Sequence, residues 1–158
     1  MSGYAYGRPQ TVLGIDPGKG GGIAGFGPAT GFWLLPMPDT ESDISSALAG
    51  HGKPAVAYVE KLPVGHPNAN VSSMAKLHRN GGLIVGILLA YGWRVIEVPP
   101  QGWQSFFGLG SRGAYGPRWK AHIKDVAQKL FPEAEGVTLK TADALMLLAF
   151  GLAKEGYR

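Results

Sequence analysis

The stretch TVLGIDPGKGGGIAGF, Thr11 to Phe26, decides the fold. TVLGID has the apolar content of a strand, GGIAGF resumes that content after a glycine-rich turn, and GFWLL follows after a second turn. Three short strands in succession predict an antiparallel meander. The first strand carries Asp16 directly beside its apolar run, where an ionised carboxylate costs free energy unless something binds it.

Beyond the meander, PDTESDISSALAGHG reads as a loop and short helix with Asp43 placed to cap it. PAVAYVE is a mostly apolar run that reads as a buried strand, central in a mixed sheet, and it too ends on an acid, Glu60. From Val71 to Tyr91, Met74, Leu77, Gly81, Ile84, Leu88 and Tyr91 recur at spacings of three and four, predicting a core helix. WRVIEVP is the next strand, closed by Pro99 and Pro100, and QGWQSFFGL forms a short helix before a flexible GLGSRGAYGP loop. Pro117 suits the first turn of a helix with Trp119, Ile123, Val126 and Leu130 on one side and Lys120 and Lys124 on an exposed face. A last helix, about residues 141 to 154, buries Leu145, Leu148, Ala149 and Leu152. The leader, residues 1–10, is expected to be flexible, and residues 11–158 form a single domain.

The 158 residues, 45% hydrophobic and 16% charged, are enough for one domain with its own core. The absence of cysteine excludes a disulfide framework, a thiolate nucleophile and a cysteine zinc site, so any metal is held by oxygen or imidazole ligands, which favours magnesium or manganese. No run approaches the roughly 18 apolar residues of a membrane span, and MSGYAYGRPQ lacks the apolar core of a signal peptide. The expected location is cytoplasmic, without membrane association. A net charge of +4 suits a polyanionic partner. It is unevenly spread: Lys61, Lys76 and Arg79 lie in a segment with no acid, and five cations between Gln101 and Leu130 face the single Asp125.

Most of the eleven acids sit in polar settings where solvation accounts for them. Asp16, Glu60 and Asp143 differ, because each adjoins an apolar run. If the first strand and PAVAYVE are neighbours, Asp16 and Glu60 approach each other, and Asp143 at the start of the last helix closes the group. Singly, each can be a cap or a salt-bridge partner, and Asp143 can simply complement the helix dipole. Three carboxylates together repel one another unless a divalent cation neutralises them. Together they are read as a metal site.

In this order and spacing, GIDPG, YVEK and TADALMLLAFG resemble the RuvC-type Holliday junction resolvases, particularly their short bacteriophage and organellar relatives. The resemblance runs through VPPQGWQSFFGL and KDVAQKLFP and covers most of residues 11 to 153. It implies an α/β RNase H-like fold, a five-stranded mixed sheet with the first three strands antiparallel and flanked by α-helices. It also implies a homodimer that cuts two opposing strands of a four-way DNA junction, in a bacterial or phage-infected cell. Asp16, Glu60 and Asp143 match the acids that in the family hold two Mg2+ ions, for which Mn2+ can substitute, and the products carry 5'-phosphate and 3'-hydroxyl ends. No nucleotide cofactor is implied. The chain departs from the pattern three residues before Asp143, where the family usually has an aspartate or histidine and this chain has Lys140. A protonated amine cannot ligate a cation, so Lys140 instead pairs with Asp143 or touches the phosphate. That substitution admits an alternative, a catalytically weak or inactive branched-DNA-binding protein of the same fold. An actin-like or kinase-like nucleotide-binding fragment is a third reading, though 158 residues do not supply the second lobe.

Lys120 and Lys124 are candidates to stabilise transition-state charge, matching the region where the family places basic residues near its catalytic centre. Candidate DNA contacts are Lys19 in the GKGGG turn, Lys61, Lys76 and Arg79, and Arg112, Tyr115 and Arg118 around the GAYGPR loop. His66 and His78 are weak metal-ligand candidates. Trp103, Phe106, Phe107 and Trp119 are read as core aromatics rather than base-stacking surfaces.

Overall fold

The computed structural model describes residues 7–65 and 70–157, so the expectations for His66 and for the first six residues of the leader lie outside the described residues. Strands β1 (Thr11–Asp16), β2 (Gly22–Gly27) and β3 (Gly31–Pro36) form the expected antiparallel meander. On the other side of β1, β4 (Ala55–Glu60) runs parallel to it, and β5 (Arg94–Val98) runs parallel to β4. The order is β3-β2-β1-β4-β5, which makes β1 the centre of a five-stranded mixed sheet. The first five residues of both β1 and β4 are buried, as strands covered on both faces must be.

Side chains alternate between two cores. Leu13, Ile15, Ile23, Ala57 and Val59 share one core with Ile44 and Leu48 of α1 (Glu41–Leu48) and Ile84 and Leu88 of α2 (Val71–Ala90). Val12, Ala24, Val56 and Tyr58 share the other with side chains of α3 (Pro100–Phe106), α5 (Trp119–Leu130) and α6 (Ala142–Lys154). The period of two along β1, β2 and β4 assigns their apolar residues to one layer or the other.

Local chemistry adjusts several expectations. The cap of α1 is Thr40, not Asp43: the Thr40 hydroxyl accepts from the Asp43 N–H at 3.1 Å and donates to the Asp43 carboxylate at 2.7 Å. Within the expected flexible loop, residues 108–117, Arg112–Tyr115 form the short α4, and a 3-10 turn, Gly116–Arg118, follows. Pro117 therefore lies in that turn and α5 begins at Trp119. Pro9 is buried, Gln10 N–H donates to the Pro54 carbonyl at 2.6 Å, and the Tyr157 hydroxyl donates to Pro9, so the chain is tied to the domain from Pro9. Among the described residues, no helix is long and apolar enough to cross a membrane.

Helix α6 lies directly on the sheet because glycines let it. A methyl group at Gly14 would stand 2.8 Å from Leu148 Cα and closer still to the Ala144 carbonyl oxygen and Leu148 nitrogen. At the far end of the helix, a methyl at Gly151 would stand 2.5 Å from the Tyr58 ring. The helix thus crosses from β1 to β4 at backbone contact distance, with ten of its thirteen residues buried.

Candidate active site

Register brings the first two acids together. In the parallel pair, Ile15 of β1 faces Val59 of β4, so the next residues, Asp16 and Glu60, emerge side by side at the strand ends. By alternation they follow Gly14 and Tyr58 onto the face that α6 covers. Asp143 sits in the first turn of α6, and the close approach at Gly14 carries it to the same place. Gly21 completes the geometry: a methyl there would lie 2.7 Å from the Asp16 carboxyl carbon.

Lys120, in the first turn of α5, reaches into this group. Its ammonium bonds the Asp143 Oδ2 atom and stands 4.0 Å from Asp16 Oδ2. This corrects the expectation that Lys120 lies on an exposed helical face: its backbone is off the apolar stripe, but its stem leans over half-buried ground to the carboxylates. Lys140 does not pair with Asp143. It lies in the turn before α6, exposed, with its backbone N–H donating to the Thr138 hydroxyl at 3.2 Å. The helix starts two residues after Lys140, so the helical spacing that would have aligned Lys140 with Asp143 does not exist.

The carboxylates feel one another. Burial, and then the charge of Asp143, hold the Asp16 carboxyl above its usual range, partly offset by Lys120 and by the Gly18 N–H. Burial, followed by Asp16, pushes Glu60 up to about 7, against the opposing effect of a hydrogen bond from Trp103. Burial alone would lower the Lys120 pKa, but Asp143, Asp16 and Glu60 outweigh it and hold the amine charged. Three carboxylates facing one ammonium leave an excess of negative charge that a divalent cation would neutralise. Asp143 Oδ1 is buried without a hydrogen-bond partner, as an oxygen reserved for a cation would be. The donor set is all oxygen, which suits a hard cation such as Mg2+. Among the described residues, however, no three acidic or histidine side chains form a compact ligand cluster, and the Lys120 ammonium is bonded to Asp143 and 4.0 Å from Asp16. The residues fit a hard divalent ion by their donor chemistry: carboxylate oxygens, one of them buried and unpartnered.

Trp103 is fully buried in the core, as the sequence predicts. Its indole N–H also donates to Glu60 Oε2 at 3.0 Å. A buried indole needs an acceptor, and that need was the available signal for this contact. Beside Glu60 a cleft of about 330 Å³ opens, lined by Pro17, Lys61, Leu62, His78, Gly81 and Glu97 among others. Lys61 follows Glu60 directly and is exposed, and Lys19 is exposed in the turn after Asp16. Lys76 is exposed on α2, and Arg79 is exposed there with an ion pair to Glu41 at 2.7 Å. Arg112 and Arg118 are exposed at α4 and the 3-10 turn. Tyr115 is half-buried, its ring stacked on His122 with centroids 3.8 Å apart, so one ring face is already covered. Lys124 is half-buried and forms no salt bridge among the described residues; the His78 ring nitrogen lies 3.1 Å from the Pro63 carbonyl.

No protein-family model and no curated protein matches the chain. By structure it is similar to T. thermophilus RuvC in complex with Holliday junction substrate, with TM-score 0.60 and 15% identity over 92% of this chain and 96% of that chain. A Thermus thermophilus RuvC structure matches at TM-score 0.54 and 16% identity, with the same shares covered. The strand order, the two antiparallel pairs and the two parallel pairs give this chain the RNase H-like fold of RuvC.

Proposed function

We propose that the chain is a structure-selective endonuclease that resolves four-way DNA junctions by metal-dependent, paired hydrolysis, leaving 5'-phosphate and 3'-hydroxyl ends. The observation that carries this reading is the placing of Asp16 and Glu60 at adjacent strand ends, with Lys120 bonded to Asp143 and 4.0 Å from Asp16, and with Asp143 Oδ1 left unpartnered. The RuvC fold and the basic balance of the sequence support the choice of substrate.

Asp16, Glu60 and Asp143 are the residues that would hold a pair of Mg2+ ions. Bound there, the metal would supply the activated water and the stabilised leaving oxygen. The protein's own contribution is to fix those carboxylates on a strand pair and a buried helix end, so that no reorganisation is needed at the moment of reaction. Lys120 offers its ammonium to the developing charge on the phosphate. Lys124 and Lys140 stand behind it as weaker candidates for the same task. Lys19, Lys61, Lys76, Arg79, Arg112, Arg118 and Tyr115 would hold the arms of the junction, mainly by phosphate contact. Two sites in register call for a twofold homodimer. Helix α2 offers a face for it: Gly82 and Gly86 border open space and Leu89 is 60% exposed.

A second reading, a branched-DNA binder that cuts weakly or not at all, is favoured by Lys140 and by the absence of a compact three-acid cluster among the described residues. One experiment separates them: incubate an end-labelled four-way junction with Mg2+ or Mn2+ and wild type, Asp16→Asn or Asp143→Asn. Paired symmetric nicks that vanish in both variants are expected. Tight binding without nicks under either metal would establish the second reading instead.

A further inference from the structure

Glu60 ends a strand on a side chain with three rotatable bonds, and left to itself its carboxylate samples many positions at a cost in entropy whenever one is required. Trp103 removes that freedom at one atom. The indole is 0% exposed and belongs to the core shared by Val98, Leu109, Leu145 and Leu148. Its own helix is anchored from both sides: Pro99 and Pro100 start α3 directly after β5, and α3 packs against α6, which carries Asp143. The strand exit is tied to the same region, because the Lys61 N–H donates to the Val98 carbonyl at 2.8 Å. The N–H of Trp103 therefore points from a fixed place at Glu60 Oε2, 3.0 Å away, while Glu60 Oε1 makes no hydrogen bond among the described residues.

We infer that Trp103 is a positioning residue for the cation site: its indole N–H holds one oxygen of Glu60 so that the other is presented toward Asp16 and a divalent ion. This rests on the proposed metal-dependent reading. A ring that only filled the core would affect stability, whereas a ring that orients a ligand affects metal affinity through that ligand alone. Outer-shell partners of this kind typically alter metal affinity by about 10- to 100-fold when removed.

The test is a double-mutant cycle read by Mn2+ binding in electron paramagnetic resonance titrations, with no DNA present. Trp103→Phe keeps an aromatic ring and deletes the N–H; Glu60→Gln keeps the acceptor and deletes the ligand charge. The expected result is a Mn2+ affinity at least about tenfold weaker in Trp103→Phe, shrinking to less than about twofold when the same change is made in Glu60→Gln. Equal losses in both backgrounds, or none in either, would overturn the assignment. A measurement on unaltered protein guards against a variant that does not fold: on titration with Mg2+, the Trp103 indole N–H resonance should move with saturation, while that of Trp33, on β3 and packed against the other core, stays still. A stationary Trp103 resonance in a protein that binds Mg2+ overturns the positioning role alone. Wild type that binds neither ion at millimolar concentration overturns the metal-dependent reading and this inference with it.

Discussion

Replacing Gly14 with alanine should damage the protein out of proportion to one methyl group. The new carbon would lie 2.8 Å from Leu148 Cα, well inside the 3.4 Å at which ordinary contact begins, and its overlap with Ala144 O and Leu148 N is deeper. All three obstacles are backbone atoms, so no rotamer change relieves them, and α6 must retreat from β1. A retreat of 0.5 to 1 Å forfeits about a quarter to a half of each dispersion contact along the interface, and α6 carries ten buried residues. Overpacking ordinarily costs about 1–3 kcal/mol, and a purely backbone clash belongs at or above the top of that range. The reduced entropy of the unfolded chain offsets only about 0.4–1 kcal/mol, so the net sign is destabilising. A loss of about 3 kcal/mol lowers Tm by roughly 6–12 °C in a domain of this size. Thermal unfolding by circular dichroism measures it, and Mn2+ affinity should fall in parallel because the retreat takes Asp143 away from Asp16. A Gly14→Ala protein with Tm within about 2 °C of wild type and unchanged Mn2+ affinity would refute the claim that this contact assembles the site.

Tyr58 is buried and its hydroxyl donates to Glu155 Oε1 at 2.7 Å; burial first, then that bond and charge, hold its pKa far above the ordinary value despite Arg94 nearby. The folded state keeps this proton more tightly than the unfolded state, so its contribution is complete below about pH 10 and is lost as pH rises beyond that. Urea unfolding from about pH 9 to 11 should show a shallower decline for Tyr58→Phe than for wild type, and parallel declines would exclude the effect. Arg79 and Glu41 are 80% and 63% exposed, so Arg79→Ala should change stability by less than about 0.5 kcal/mol. The same variant should weaken junction binding in EDTA and reduce its salt slope by about one, whereas an unchanged slope removes Arg79 from the DNA path. Mg2+ at about a hundred times its Kd should stabilise wild type by about 2.7 kcal/mol, and Asp143→Asn should lose most of that shift in a thermal melt; an equal shift in both would mean the ion binds elsewhere.

The sheet was legible because each strand is a contiguous apolar run bounded by glycine or proline. Asp16 and Glu60 stood out because strand ends beside buried residues are costly places for charge. Their adjacency depends on the parallel pairing of β1 with β4, which no local pattern specifies. Thr40 was missed as the cap of α1 because Asp43, three residues on, satisfies the same rule, and only backbone geometry chooses between them. Lys120 and Lys140 exchanged roles for a similar reason. Counting along a helix placed Lys140 beside Asp143, but the helix begins after it, while Lys120 arrives from another helix altogether. Trp103 was legible as core and illegible as a hydrogen-bond donor, because its partner is distant in sequence and fixed only by tertiary packing.

The three acids come from a strand near the start of the described chain, a strand in its middle and a helix near its end. No contiguous segment holds more than one of them, and the contact that unites Asp16 with Asp143 forms only when α6 docks against β1. Such non-local contacts need distant parts of the chain to be brought together, and they are lost whenever the domain opens at that seam. A nascent, nicked or partly unfolded chain therefore has isolated carboxylates and no cation site. On the proposed reading, a DNA-cutting activity that would be hazardous if unregulated is confined to molecules that have finished folding, a safeguard built into topology with no dedicated inhibitor.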